Sequence, residues 1–193
     1  MHRYGIPVEE LSSLVARPTA RRMPGGSRTV AARTRSYRLE RFELKRGSRW
    51  TVELPRGWDA VIFVESGEVS VGERAVQPQT CITIAPGRRP AIVAHTASIV
   101  YVFSGPVDAR RRSSYGTVTV PFDRRTKYWG EIATIVNRAY AGKRLFFRKG
   151  QHSSLHYHCD KTETYFIHSG HLLMRLRSGR GEDRFFTLSA AVP

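Results

Sequence analysis

Short apolar segments with strand chemistry recur along the chain from Ser36 onward. Each runs about five to eight residues, is rich in Val, Ile, Phe, Tyr and Thr, and is bounded by Gly, Pro or Asp. In the first half these segments are YRLERFELK, RWTVEL, DAVIFVESG, EVSVG, CITIAPG and SIVYVFSGP, and strong helix candidates are missing there. From Lys127 onward they are GEIATIVN, RLFFRKG, SLHYH, ETYFIHSG, HLLMRLRSG and RFFTLS. Many short strands at regular spacing predict an all-β protein, built as an antiparallel sandwich or barrel.

The two halves have the same layout. Each contains a strand that ends in a basic-Gly turn, at Gly47 and at Gly150. About twenty residues later, each contains an apolar strand that ends in Ser-Gly, at Gly67 and at Gly170. This similarity predicts two copies of one barrel unit in tandem.

The segments outside the predicted barrels differ from them in composition. The first 35 residues are rich in Arg, Pro and Gly, with one short helix expected at about 7–16 and a loop over 17–28. A charged connector should contain one short strand, Thr117–Val120. The predicted division is therefore an N-terminal segment 1–35, a first barrel 36–105, a connector 106–126 and a second barrel 127–193.

Composition places the chain among globular proteins. Of its 193 residues, 40% are hydrophobic, and no apolar run reaches the roughly 18–20 residues that a membrane span needs. The N-terminus lacks the apolar region of a signal peptide, so we expect a cytoplasmic protein with no membrane partner. Cys81 and Cys159 form no CxxC pair and are expected to be free thiols in a reducing compartment.

The charge is strongly basic, with 32 Lys and Arg against 16 Asp and Glu. The excess is mostly arginine and is spread over many segments, and no nucleic-acid motif accompanies it. An arginine-rich surface of solvated loops is therefore favoured over a nucleic-acid groove. A third interpretation is a surface that attracts anionic small molecules such as sugar phosphates.

One group of residues has the types and spacing of a metal site. It lies in the segment GQHSSLHYHCDKTETYFIHSG, which starts at Gly150. His156 and His158 are two residues apart, which places both imidazoles on one face of a strand. Glu163 is expected to open the next strand of the hairpin, where it can face the two histidines. Two imidazoles and a carboxylate suit one divalent metal ion, Zn, Mn, Fe or Ni, and leave coordination positions open. The alternative is a set of exposed polar residues in a hairpin, but two His, one Glu and two turn glycines in register favour the metal.

This segment resembles the first motif of the cupin superfamily, G-x5-H-x-H-x(3,4)-E-x6-G. Residues 127–170 look most like the cupin domain of mannose-6-phosphate isomerase-like proteins. The similarity lies in Lys127, Trp129 and Gly130, in the Ser154–His158 core and in the Glu163 strand. The resemblance implies two jelly-roll barrels of the cupin (RmlC-like) type, one bound metal, and a homodimer formed through edge strands.

The chain departs from the cupin pattern in two ways. The second cupin motif, which supplies a fourth ligand, should follow Gly170 by some twenty to thirty residues, but no histidine lies beyond His171. Either the sequence is a fragment or the second barrel is truncated, and we expect a truncated barrel. In the first repeat the aligned ligand positions are Ala60, Glu53 and Pro55, so the first barrel is expected to be degenerate and to serve packing, dimerisation or shaping of the second site.

Other polar residues flank the motif. His152 is a candidate acid or base, although an exposed turn histidine is the favoured alternative. Arg148 and Lys161 could contact a substrate phosphate, although charged residues at strand ends are usually solvated. Neither Cys159 nor His168 is expected to be a ligand.

Three functions remain open. The resemblance and the cationic surface favour a metal-dependent sugar-phosphate isomerase, which interconverts aldose and ketose by moving a proton. Two His and a carboxylate could instead hold Fe(II) in a non-haem dioxygenase. The degenerate first barrel and the missing fourth ligand favour a non-enzymatic bicupin that binds a sugar or metabolite.

Overall fold

The computed structural model describes residues 18, 20–107, 115–155, 163–177, 181 and 183–190. These residues form sixteen strands, and no helix occurs among them. No described segment, accordingly, forms a helix that is long and apolar enough to cross a membrane. The chain divides into two compact units, one of Ala20–Ser154 and one that contains the described residues from Leu155 onward.

Two antiparallel sheets build the first barrel. The larger has the strand order β1-β2-β3-β10-β5-β8-β11. Its strands are β1 (Ala20–Met23), β2 (Gly26–Arg33), β3 (Arg38–Leu44), β5 (Trp58–Ser66), β8 (Cys81–Ile84), β10 (Ser98–Pro106) and β11 (Val118–Thr119). The smaller sheet has the order β4-β9-β6-β7, with β4 (Arg49–Thr51), β6 (Val69–Val71), β7 (Arg74–Val76) and β9 (Ala91–Ala94). The sequence predicted the strands of this barrel except β7 and β9, and it also missed β1 and β2.

The core of the barrel lies between these two sheets. Alternate residues of each strand face inward, so that Ala60, Ile62 and Val64 of β5 all belong to it. The core cluster is aliphatic apart from one ring: Phe42, Leu44, Val52, Ala60, Ile62, Val64, Val69, Val71, Val76, Ile82, Ile84, Ile92, Ala94, Val100 and Val102. Burial of this apolar surface is the main favourable term that holds the barrel together.

The predicted loop over residues 17–28 is wrong, because β1 and β2 form a hairpin within it. Met23 pairs with Gly26, which leaves Pro24 and Gly25 as a two-residue turn. Gly25 has a φ of 78°, and Pro-Gly is the pair that fits the centre of a type II turn, where the second residue needs a positive φ. The polar strand sequences hid the hairpin, since main-chain pairing of β2 with β3 supports it rather than apolar alternation. The helix expected at 7–16 lies outside the described residues.

A third sheet, made of three strands, has the order β12-β13-β14. Its strands are β12 (Phe122–Lys127), β13 (Gly130–Asn137) and β14 (Ala141–Phe147). The connector was expected to contain one short strand, and β11 lies within it at Val118–Thr119. Strand β12 also begins inside the connector, five residues before Lys127, where the sequence predicted that strands resume. This strand is exposed along its whole length, so its sequence has no apolar alternation that would have predicted it.

The three-stranded sheet covers the outer face of the larger sheet. Phe63 points away from the barrel core and is only 1% exposed. A Cβ added to Gly142 of β14 would lie 2.4 Å from the Phe103 ring, and one added to Gly105 would lie 2.3 Å from the Tyr140 ring. Both glycines are therefore needed for the close approach of the two layers.

A buried carboxylate, Asp59, fastens these two layers together. Asp59 lies at the start of β5 and is 1% exposed. Its Oδ1 accepts a hydrogen bond of 2.8 Å from the Tyr140 hydroxyl, and its Oδ2 forms an ion pair with Arg138. Arg138 also donates to Thr83 Oγ1 over 3.2 Å. Burial and then the Asp59 charge hold the pKa of Tyr140 far above its usual range. We call Asp59, Arg138 and Tyr140 the Asp59 cluster.

The second unit contains one two-stranded sheet. Strands β15 (His171–Arg177) and β16 (Asp183–Ser189) pair antiparallel, with Leu173 opposite Thr187. The strand predicted over ETYFIHSG is wrong for residues 163–168, which lie outside any strand. Likewise, Ser154 and Leu155 do not begin a strand as SLHYH predicted, and residues 156–158 of that segment lie outside the described part of the chain.

Candidate metal half-site

Glu163 is the one predicted metal ligand whose position is described. It is exposed and precedes β15 by eight residues, so the prediction that it opens a strand is wrong. Its Oε2 accepts a hydrogen bond of 3.0 Å from the Tyr165 hydroxyl. Burial and then the Glu163 charge raise the pKa of Tyr165 to about 12. The carboxylate is therefore held by a neutral phenol that remains a donor at physiological pH.

The two predicted imidazole ligands, His156 and His158, lie outside the described residues, as does Lys161. Within the described part of the chain, no group of three or more His, Cys, Asp or Glu side chains is arranged to hold a metal ion. The half-site thus stays a prediction from the residue types: two borderline nitrogen ligands and one oxygen ligand fit Zn, Mn, Fe or Ni.

Arg148 and His152 both lie next to Tyr128, at the turn that follows β14. The Arg148 guanidinium donates to the Tyr128 carbonyl over 3.3 Å, and its backbone N–H donates to the Trp129 carbonyl over 2.8 Å. The His152 ring stands edge-on to the Tyr128 ring, 6.3 Å between centroids. Both residues are exposed. The structure therefore brings the candidate acid or base and one candidate phosphate ligand to the same turn.

Trp129 anchors this turn to the sheet. It is 6% exposed and stacks on Phe147, 4.4 Å between ring centroids. The stacking joins the turn before β13 to the end of β14. The positions of Arg148 and His152 therefore depend on a rigid aromatic pair rather than on their own contacts.

In the first barrel, whose residues 20–107 are all described, no three His, Cys, Asp or Glu side chains converge to hold a metal ion. Ala60, aligned with the ligand glutamate, is fully buried in the apolar core. His95, a histidine of this barrel, is exposed. Cys81 is a buried free thiol, as predicted, and burial raises its pKa.

A buried charged group in the first barrel escaped the sequence analysis. Glu40 is 4% exposed, and two guanidiniums, Arg28 and Arg38, form ion pairs with it. The signal was present, because Glu40 alternates in register with Phe42 and Leu44, which face the core. A charge at an inward position of a strand predicts a buried partner.

Comparisons with known proteins identify the fold. Two oxalate decarboxylase structures match 90% of this chain and 67% of theirs, with TM-scores of 0.65 and 0.63 at 10% and 12% identity. One concerns a structural element that modulates proton-coupled electron transfer, and the other concerns the substrate binding mode and a reaction specificity switch. A quercetin 2,3-dioxygenase from Acinetobacter baumannii matches 42% of this chain with 21% identity and a TM-score of 0.40, and the chain spans 33% of its length. No family model and no curated protein matches the chain.

The protein is an all-β protein with the tandem cupin fold. The first barrel is degenerate at its aligned ligand positions, where Ala60 belongs to the apolar core and the other two positions hold Glu53 and Pro55. At these identities the likeness establishes the fold and leaves the activity to be inferred from the residues.

Proposed function

We propose that this chain is a metal-binding cupin protein whose metal is held by His156, His158 and Glu163. The observation that carries the proposal is the ligand motif, at cupin spacing, in a chain with the cupin fold. A bound divalent metal would supply a Lewis acid for carbonyl or hydroxyl oxygens of a substrate. The protein's own residues would orient that substrate and move its protons.

The substrate we propose is an anionic sugar, and the reaction an aldose–ketose isomerisation like that of mannose-6-phosphate isomerase-like proteins. Arg148 is exposed at its turn and carries a planar guanidinium that can bind a phosphate with two parallel hydrogen bonds. His152 lies beside it against Tyr128, where an imidazole could move a proton of the substrate. Lys161 would add a second positive charge. We further propose a cytoplasmic homodimer.

Metal content tests the ligand assignment. The purified chain should hold about one divalent ion, measured by plasma mass spectrometry, because three ligands retain metal through purification. His156→Ala and His158→Ala should each lower the ratio to below about 0.1 per chain. His95→Ala, which removes an exposed histidine of the first barrel, is the matched control and should retain the metal. A wild-type chain with less than about 0.1 metal would contradict the proposal.

Activity tests the reaction. The metal-loaded protein should interconvert aldose and ketose 6-phosphates, and Arg148→Gln should raise KM for the phosphorylated sugar while metal content stays unchanged. His152→Ala should lower kcat by about 10²–10⁴ if this imidazole moves the proton. If the fully metal-loaded protein does not convert mannose 6-phosphate or related aldose phosphates, the isomerase assignment is excluded. The metal assignment is not affected by that result.

A second candidate is a bicupin that binds a sugar or metabolite without transforming it. The absence of a metal centre among residues 20–107 favours it, because one of the two barrels then works without metal chemistry. Saturable binding of a sugar phosphate without turnover would support it. Oxygen uptake dependent on Fe(II) would instead indicate a dioxygenase.

A further inference from the structure

A small cavity opens inside the first barrel, between its two sheets. Its volume is about 50 Å³, and its lining combines core residues with charged ones: Arg28, Arg38, Glu40, Phe42, Trp50, Val52, Glu53 and Val102. Glu53 is a position that the cupin alignment assigns to a lost histidine ligand. One of the three aligned ligand positions of the first repeat therefore lines the cavity.

Two arginines, a buried carboxylate and an exposed one line this cavity. Arg28 is bound to Glu40 Oε1 through both Nε, at 2.8 Å, and Nη2. Arg38 Nε lies 3.1 Å from Glu40 Oε2, and its Nη2 donates to the Glu53 carbonyl over 2.7 Å. The Glu53 side chain is exposed. Because two buried or half-buried guanidiniums share one buried carboxylate, these three residues carry one net positive charge inside the barrel, and the second carboxylate of the lining, that of Glu53, lies on the exposed side.

The group also holds more donors than acceptors. Each guanidinium has five N–H donors, and Glu40 and one carbonyl accept only some of them. Arg38 Nε is buried and lies close enough to Glu40 for an ion pair, but its N–H forms no hydrogen bond there or elsewhere. Ser104, directly opposite Arg38 in the β3–β10 pairing, is fully buried with an unpaired hydroxyl. Two unsatisfied polar groups at paired positions indicate an acceptor that is missing between them.

An aromatic wall gives the cavity a flat side. The Arg28 Cζ lies 5.7 Å from the centre of the Trp50 ring, and Trp50 packs against Phe42 with centroids 5.4 Å apart. The ring holds the guanidinium in place through a cation–π contact and excludes water from one side. A planar ligand fits between such surfaces better than a tetrahedral one.

We propose that the degenerate barrel binds a small monocarboxylate in this cavity, with Arg38 as its main partner. The buried part of the lining carries one excess positive charge that a monoanion would balance, and the guanidinium fork matches the planar carboxylate. The volume of about 50 Å³ equals the space of about three to five water molecules, at about 10–15 Å³ of cavity volume each, and so admits an acid of about two or three carbons. The site stands independently of the metal proposed for the second barrel.

Acetate is the probe that tests this site. Sodium acetate is titrated into the full chain at constant ionic strength, with sodium chloride and sodium phosphate as comparison salts. Binding is followed by saturation-transfer NMR on the acetate methyl group and by the thermal midpoint. We expect saturable acetate binding with Kd of about 0.1–10 mM, the range that so small a ligand allows, and no saturable effect of chloride.

Three variants locate the site. Arg38→Gln should weaken acetate binding at least tenfold, whereas Arg46→Gln, which removes the same charge from an exposed turn residue, should leave it unchanged. Arg38→Lys keeps the charge and the stem but loses the fork, and should weaken binding at least threefold even if Arg38→Gln fails to fold. The proposal is overturned if acetate acts no differently from chloride on the wild type, if phosphate binds as tightly as acetate, or if the Arg38 variants bind acetate like Arg46→Gln.

Discussion

Replacing Asp59 by Ala tests how the three-stranded sheet is fastened to the first barrel. The substitution removes the buried carboxylate, which takes away the ion-pair partner of Arg138 and the acceptor of the 2.8 Å hydrogen bond from Tyr140. Arg138 keeps its charge with 17% of its side chain exposed and retains only the Thr83 hydroxyl as an acceptor, and the Tyr140 hydroxyl is buried. Fuller hydration of these groups would require the two layers to separate, which the close contacts of Gly105 and Gly142 oppose.

The expected cost follows from these contacts. Breaking a buried ion pair from one side costs about 3–5 kcal/mol, because a buried charge is left uncompensated. Tyr140→Phe removes only one charge-assisted hydrogen bond and should cost about 1.5–2 kcal/mol. The double variant should cost less than the sum by about 1–2 kcal/mol, because Asp59→Ala already deprives Tyr140 of its acceptor.

Urea denaturation read by tryptophan fluorescence measures these differences. All three tryptophans, Trp50, Trp58 and Trp129, lie in the Ala20–Ser154 unit, so the signal reports that unit alone. With a slope of about 2 kcal/mol per molar urea, Asp59→Ala should lower the midpoint by about 1.5–2.5 M. Glu73→Ala removes a carboxylate from an exposed turn and should change stability by less than about 0.5 kcal/mol. A loss below about 1 kcal/mol for Asp59→Ala would show that the cluster does not hold the layers together.

Two further predictions concern the same interface. Gly142→Ala should destabilise the unit by about 1–3 kcal/mol in the same urea assay, because the added methyl group meets the Phe103 ring at 2.4 Å. Ala141→Ser, at the exposed neighbouring position, should be nearly neutral. Equal effects of the two substitutions would contradict the close packing. Burial and Asp59 raise the pKa of Tyr140 above its ordinary value of 10.0, so the unfolded chain loses this proton at a lower pH than the folded chain, and stability should fall as the pH rises above about 10. Tyr140→Phe should show a shallower fall of stability with pH. Identical slopes for the two proteins would count against a buried, protonated phenol.

Strand β5 shows what a side-chain pattern can predict. It is buried on both faces, from Asp59 to Val64, because the core lies on one side and the three-stranded sheet on the other, and its continuous apolar run reflects both contacts. Strand β12 and the β1–β2 hairpin are mostly polar and are held by main-chain pairing, which side-chain pattern does not record. The sequence analysis also missed β9 and β7, and β7 exposes two of its three residues.

The chemistry divides in the same way. The proposed metal ligands could be named from the sequence because they lie within eight residues of one another in a known motif. The buried charges could not, since their partners come from distant segments: Arg28 lies 12 residues before Glu40, and Arg138 lies 79 residues after Asp59. Only the topology brings such pairs together. Glu163 shows the limit of the motif, because its spacing was read correctly while the strand assigned to it was not.

The 79-residue separation of Asp59 and Arg138 bears on how the protein is made. At about 5–20 residues per second, a ribosome needs about 4–16 s to add the arginine after the aspartate. During that interval the nascent barrel can assemble its apolar core, but its outer sheet still presents Phe63, Val61 and an unneutralised carboxylate to the surroundings. The carboxylate gains its guanidinium partner only with the segment that also covers the sheet, so the burial of this charge and its neutralisation occur in one step of assembly.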